Sequence, residues 1–330
     1  ELTNDSTLVT YFRNNLNSHT LGDIYVLDTT TILTSFYEPL ENPYKLYQTL
    51  SNSGLAHKKL DFFYPTSIGF NTELSSFQSY IRNQENIIFP IVAQPFTEIK
   101  YMMGDKKEQH LEVLFSREFL PNFFITLNYD IDFSPGVYKR SKMQNSFFNG
   151  NLRYNTKNGR YGISGYYYNN KIDIQESGGI KYDSVFINNI ETDKSIIDVN
   201  LTGATNLIKV SGFAVDQYFN ISGNKSVGKN DSISSRRFGI GRINHHFAYQ
   251  RNRYIYEDTN PLSYFYQSFD HVIDSTKTSD SIYFHNIRNV IYWNNLGYKK
   301  YNNDIPFYLT FGIEHNFTYH AGYYNYITDE

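Results

Sequence analysis

The chain has 330 residues, a net charge of -3, 40% hydrophobic and 18% aromatic residues, and a mean hydropathy of -0.51. The absence of cysteine excludes disulfides and thiolate metal sites, and 30 basic against 33 acidic residues point to no nucleic-acid partner. No run of about eighteen apolar residues exists, which excludes a membrane-crossing helix but not a crossing strand, whose apolarity hides in alternate positions.

Residues 1–65 differ from the rest of the chain. Stretches 6–12 and 23–36 hold short extended pieces rich in Thr and Val, and 37–59 is broken by Pro39, Pro43 and Gly54. Proline resists interior strand positions, so this part reads as a leader of short strands and turns. It is expected to act as a plug or a periplasmic segment, or to form a small subdomain of its own.

From about Ser67 the sequence turns into a strand series, and 66–330 is expected to supply transmembrane β-strands. Ile68, Phe70, Thr72 and Leu74 share one face. Stretches 96–104 and 107–116 make a hairpin around Gly104-Asp105-Lys106, and 117–122 reverses the chain. Phe123, Ile125, Leu127 and Tyr129 then alternate with Phe124, Thr126, Asn128 and Asp130.

The clearest unit is the hairpin over 144–171. Its centre, Asn155 to Gly159, is rich in the residues that tolerate a left-handed backbone. Each arm spans about ten residues, longer than the common soluble strand and close to the 9 to 11 that cross a membrane at a tilt. Tyr154, Tyr161 and Tyr167 fall on one face; Tyr166 and Tyr168 fall on the other.

Further strands are expected over 207–220, 237–250, 281–296 and 307–319. On the first, Ile208, Val210, Gly212 and Ala214 oppose Lys209, Ser211, Phe213 and Val215, a division less clean than elsewhere. The connections alternate in length. Those near 133–144, 172–206 and 250–280 are assigned outside the cell, and those near 117–122, 156–160, 220–234 and 297–306 to the periplasm. No long segment carries an apolar stripe at helical spacing.

A soluble β-sandwich is the competing architecture. Repeated long arms, rings on alternate positions and one-sided loop lengths favour an antiparallel all-β transmembrane barrel. Closure would remove the unpaired edges that lipid cannot satisfy.

At this level of detail the chain resembles the outer-membrane β-barrel porin family of Bacteroidota. The resemblance rests on YKLYQTLSNSG (44–54), IGF (68–70), QPFTEIKYMMGDKKEQHLEV (94–113) and the blocks from NTKNGRY to QESGGI (155–180). It implies a barrel in the bacterial outer membrane and passive passage of small solutes, with no catalytic residue to carry over. Family members are longer, so the chain is expected to be an N-terminal portion of a larger barrel, incomplete at its C-terminal side.

Chemistry-bearing motifs are sparse. His245, His246, His271 and His285 are the candidates for a metal, but adjacent strand residues point to opposite faces, so His245 and His246 do not chelate one ion together. No HExxH, GxSxG, Walker-type or calcium loop is present, so neither an enzyme nor a cofactor is expected. If the aromatic faces meet lipid, Glu98, Lys100, Glu112, Arg153, Arg242, Arg288 and Glu314 point inward. A lumen lined with both signs favours small polar solutes; alternatively these charges pair among themselves or with a plug.

Two functions are compatible with these features. The first is a diffusion porin. The second is a structural or accessory barrel with a plugged lumen inside an outer-membrane complex. Expected partners are outer-membrane lipid and lipopolysaccharide, small polar solutes, and other outer-membrane proteins or lipoproteins.

Overall fold

The computed structural model describes residues 9–13, 24–27, 46–50, 52–61, 75–221, 241–266, 278–295 and 309–323. Five short strands come first: β1 (Thr10–Arg13), β2 (Ile24–Val26), β3 (Tyr47–Thr49), β4 (His57–Lys59) and β5 (Ile88–Ile91). Nine longer ones come after them: β6 (Phe96–Met103), β7 (Gln109–Leu120), β8 (Phe123–Ser134), β9 (Met143–Asn155), β10 (Tyr161–Gln175), β11 (Ala204–Ile221), β12 (Gly241–Asp258), β13 (Thr278–Asn294) and β14 (Thr310–Tyr323).

The nine form one antiparallel sheet in strict sequence order, β6 to β14. Such a meander arises when each strand pairs with the next through a local reversal. The β9–β10 turn shows how the sequence encodes one. Gly159 takes φ +64°, the Thr156 hydroxyl donates to the Tyr161 carbonyl at 2.9 Å, and the Thr156 amide donates to the same oxygen at 2.9 Å. Among the described residues β6 and β14 are each paired on one side only, so the sheet is not seen to close on itself.

Several strands outrun their sequence limits. β7 continues through Arg117 and Glu118 to Leu120, where a register shift ends the ladder. β12 continues to Asp258, eight residues beyond the expected Gln250. Arg251, Arg253 and Glu257 disguise that end as loop because charged residues are rare inside soluble strands. The expected strand face Ile68, Phe70, Thr72 and Leu74 lies outside the described residues. Ile88–Ile91, within the expected strand series, pairs with β1 instead, so the large sheet begins at Phe96. Helices are brief: α1 (Asp183–Ile187) and α2 (Ser263–Tyr266). Among the described residues no helix is long and apolar enough to cross a membrane.

The loops at one end fold on each other. Leu201, Ala204 and Tyr266 form a small apolar cluster. The Tyr266 hydroxyl donates to Asp258 Oδ2 at 2.6 Å, and burial together with that bond pushes its ionisation well above the usual tyrosine range.

The two faces of the sheet differ. One, the open face, carries Phe115, Leu127, Tyr167, Phe213, Tyr249, Ile287 and Phe317 along a single rung of paired residues. Its apolar band is not level. On β6 it reaches Met103, whose rung ends on β10 at Asp173, whereas the last apolar outward residue of β10 is Tyr167, six residues lower. A sheet inclined at about 45° to a membrane normal shifts by about 1.5 residues per strand, or about six over four strands. From β10 to β12 the continuous band ends on the Tyr167 rung; beyond it Leu207 and Ile255 share one further rung with Asp173, and on β13 Tyr283 lies beside Arg253.

Candidate functional site

The opposite face is covered by the N-terminal segment. Phe77, Tyr80, Ile81, Ile87 and Phe89 pack against Phe147, Tyr166, Tyr168, Ile172, Ile208 and Val210 in one buried cluster. Phe89 and Tyr168 are 2% and 1% exposed. Full burial of side chains of this size contributes about 1.5–3 kcal/mol each. Phe12 of β1 stacks on Phe89 at 5.1 Å, and Phe89 meets Tyr166 edge-on at 6.2 Å.

Polar contacts fix the position of this segment. Arg82 Nη1 pairs with Asp130 Oδ2, whose side chain is 1% exposed. The Arg82 amide donates to Asn170 Oδ1 at 2.8 Å, and Asn151 Nδ2 donates to the Ile88 carbonyl at 2.9 Å. Near the far end of the sheet Asn52 Nδ2 donates to Ser134 Oγ and to the Ser141 carbonyl, each at 3.2 Å. There Gly54, at φ +81°, approaches Met143 so closely that a Cβ would collide with it. The contacts therefore run from Arg153, over whose guanidinium Phe12 lies, to Met143 at the opposite end of β9.

Asparagines and carboxylates fill the gaps between the apolar contacts. His110 Nδ1 meets Asp132 Oδ1. Asn145 Nδ2 donates to Asp132 Oδ2 at 3.0 Å, and Asn170 Nδ2 donates to Asn145 Oδ1 at 2.7 Å. Asn149 Nδ2 donates to the Tyr167 carbonyl at 3.0 Å. This network holds charge on a buried face by giving it partners, as a low-dielectric setting requires.

The seven candidate inward residues all fall on this face by register. They do not gather into one site. Lys100 Nζ lies 3.2 Å from Glu98 and 3.5 Å from Glu112. Arg153 is sandwiched between Phe12 and Phe124, at 5.4 and 4.5 Å from the ring centres. Arg242 lies 4.2 Å over the Tyr218 ring and donates from Nε to Asn220 Oδ1 at 2.8 Å. Arg288 forms a two-bond fork with Glu314, at 2.7 and 3.2 Å.

Sequence reasoning missed Arg82, Asp132 and the asparagine network. A usable signal was present: Asn145, Asn149 and Asn151 recur on one face of a long strand, where asparagine is normally depleted. It named His246 but missed its partner: His246 is 3% exposed and bonded to Asp216 at 2.6 Å.

The histidines do not converge. His245, on the other face, lies between Gln217 and Asn289, each at 2.9 Å, and His285 bonds the Tyr249 hydroxyl at 2.7 Å. His271 lies outside the described residues. Among the described residues no three His, Cys, Asp or Glu are grouped to hold a metal ion.

A family model described as "Putative porin" matches residues 11–330. No curated protein and no solved structure matches the chain.

Proposed function

The chain belongs to that porin family, and on this premise we propose that it is an outer-membrane porin passing small polar solutes by diffusion. The open face meets lipid, and the covered face lines the interior of a β-barrel wall. The observation that carries this reading is the contrast between faces: an aromatic and aliphatic band on one, and on the other buried asparagines and paired charges beside the apolar patch that the N-terminal segment covers. Porin barrels need that polarity because lipid excludes unpaired polar groups while a solute path requires them.

The route runs beside the N-terminal segment, along β13 and β14. There Asn286 and Thr318, and the Arg288–Glu314 pair, remain outside the buried cluster. Passage needs no chemical step, cofactor or energy source. Glu98, Lys100 and Glu112 set one cation between two carboxylates at the other edge, a mixed-sign trio that leaves one negative charge.

A second reading is favoured by one specific observation. The Arg82–Asp130 pair and the Asn151–Ile88 bond hold the N-terminal segment across β8–β10. Under it the segment plugs the barrel, and the protein serves as an accessory subunit of an envelope complex with other membrane proteins or lipoproteins.

Planar-bilayer recording of the full chain separates the two. Discrete ohmic conductance steps are expected from the diffusion porin. Folded, bilayer-inserted protein that stays silent would remove that reading and leave the plugged one.

A further inference from the structure

Just beyond the continuous apolar band the open face turns basic, before one further apolar rung of Leu207 and Ile255. Along one rung Lys171 pairs in register with Lys209, and Lys209 with Arg253. One rung closer to the band, Asn169, Ser211 and Arg251 lie side by side. The band itself ends at Tyr167, Phe213 and Tyr249, two residues below that inner rung on each strand. The four cations thus stand about 7–13 Å along the strands from that end of the band.

Like charges placed directly opposite on adjacent strands repel. Little on the protein offsets them. Lys171 lies 3.8 Å from Asp173, and both are about half exposed. Arg253 is stacked over Tyr283 at 4.9 Å, and its buried Nε has no hydrogen-bond partner. Glu257 shares the face but lies four residues further along β12. Among the described residues Lys209 and Arg251 have no acidic partner.

We propose that Lys171, Lys209, Arg251 and Arg253 form a binding site for the phosphate of an outer-leaflet glycolipid headgroup. The proposal rests on the reading of the open face as lipid-facing. The site is continuous with the apolar band, so a bound lipid lays its acyl chains on Tyr167, Phe213 and Tyr249 while its headgroup meets the cations. Asn169 and Ser211 supply neutral polar groups between them. Arg253 is held by its ring contact with Tyr283, and a guanidinium suits a phosphate. The excess of cations over the single neighbouring carboxylate gives the charge complementarity, and the anion relieves the repulsion along the rung.

The test uses the full chain in detergent, titrated with monophosphorylated lipid A and with the same lipid after phosphate removal, read by native mass spectrometry. The wild-type chain is expected to retain the phosphorylated lipid preferentially. In Lys171→Ser/Lys209→Ser/Arg253→Ser that preference should fall roughly a hundredfold, at about one kcal/mol per cation. Lys209→Ser alone should lower it about fivefold, a milder change that keeps the test valid if the triple variant does not fold. Equal retention of the two lipids by the wild type, or an unchanged preference in a folded variant, would overturn the site. Vesicle flotation separates this from the parent reading: protein that floats but does not discriminate phosphate defeats only the site, and protein that does not associate with vesicles defeats both.

Discussion

The covered face of β9–β11 and the same face on β14 belong to one sheet, yet they are built for different neighbours. On β9–β11 it carries Phe147, Tyr166, Tyr168, Ile172 and Val210, none more than 5% exposed. On β14 every residue from Phe311 to His320 is exposed. The first region is apolar because a segment of the same chain lies on it; the second is polar and bare, with Glu314, Asn316 and Thr318 in a row. Face polarity in such a sheet therefore reports what rests against it, not merely whether it points in or out.

The contrast breaks most severely at Arg82. Arg82→Ala leaves the carboxylate of Asp130 buried without its cation, a loss of roughly 3–5 kcal/mol for a pair of this kind. Limited proteolysis should then cut within residues 75–92 while the β9–β10 hairpin stays protected. Unchanged protection of that segment would show that the apolar contacts alone hold it.

Acid should loosen the same region more mildly. Burial holds the His57 imidazole below the ordinary histidine range, against a smaller opposing effect of the Leu55 backbone. Its Nε2 accepts the Ser79 amide at 3.2 Å, which a proton on that nitrogen would prevent. The unfolded segment therefore takes up a proton at higher pH than the folded one. The stabilisation is complete above about 6.5 and is lost as pH falls through and below that value. Hydrogen exchange at the amides around Ser79, corrected for intrinsic rate, should quicken between about pH 7.5 and about pH 5. His57→Gln should abolish the dependence; an identical pH profile in that variant would assign it elsewhere.

The smallest effect on stability is expected at the bare end. The Glu314 side chain is 41% exposed, so losing its pair with Arg288 costs under about 1 kcal/mol. Arg288→Gln should leave thermal unfolding almost unmoved yet shift the reversal potential toward cation preference, because Glu314 keeps its charge. An unshifted potential would take this pair off the solute route.

Much of the sheet was legible because its code is local. Asn158-Gly159 between alternating arms specifies the β9–β10 hairpin without reference to anything distant, and the faces of Tyr154, Tyr166, Tyr167 and Tyr168 obey parity. β11 was ambiguous for a physical reason. Ile208, Val210 and Ala214 are buried under the N-terminal segment while Phe213 and Val215 belong to the open face, so both sides read as apolar. The end of β12 was lost because Arg251 and Arg253 look like loop residues until the strand is known to continue past the apolar band.

The candidate site was legible in part. Parity places Arg153 on the covered face, but its partner Phe12 comes from a region with no strand rhythm. Nor does any local pattern announce that Arg82 meets Asp130, since that contact joins a non-repetitive turn to the middle of a regular strand.

The strict neighbour order of β6 to β14 also bears on how the protein comes together. Each strand of the sheet pairs with its neighbour in sequence, and from β6 to β10 it does so across a short reversal with a small loop-closure cost. The N-terminal segment has no such shortcut. Arg82 needs β8, Ile88 needs β9, and the amide of Arg82 needs Asn170 on β10. The segment that precedes the sheet in the chain thus needs three later strands aligned before all of these contacts can form.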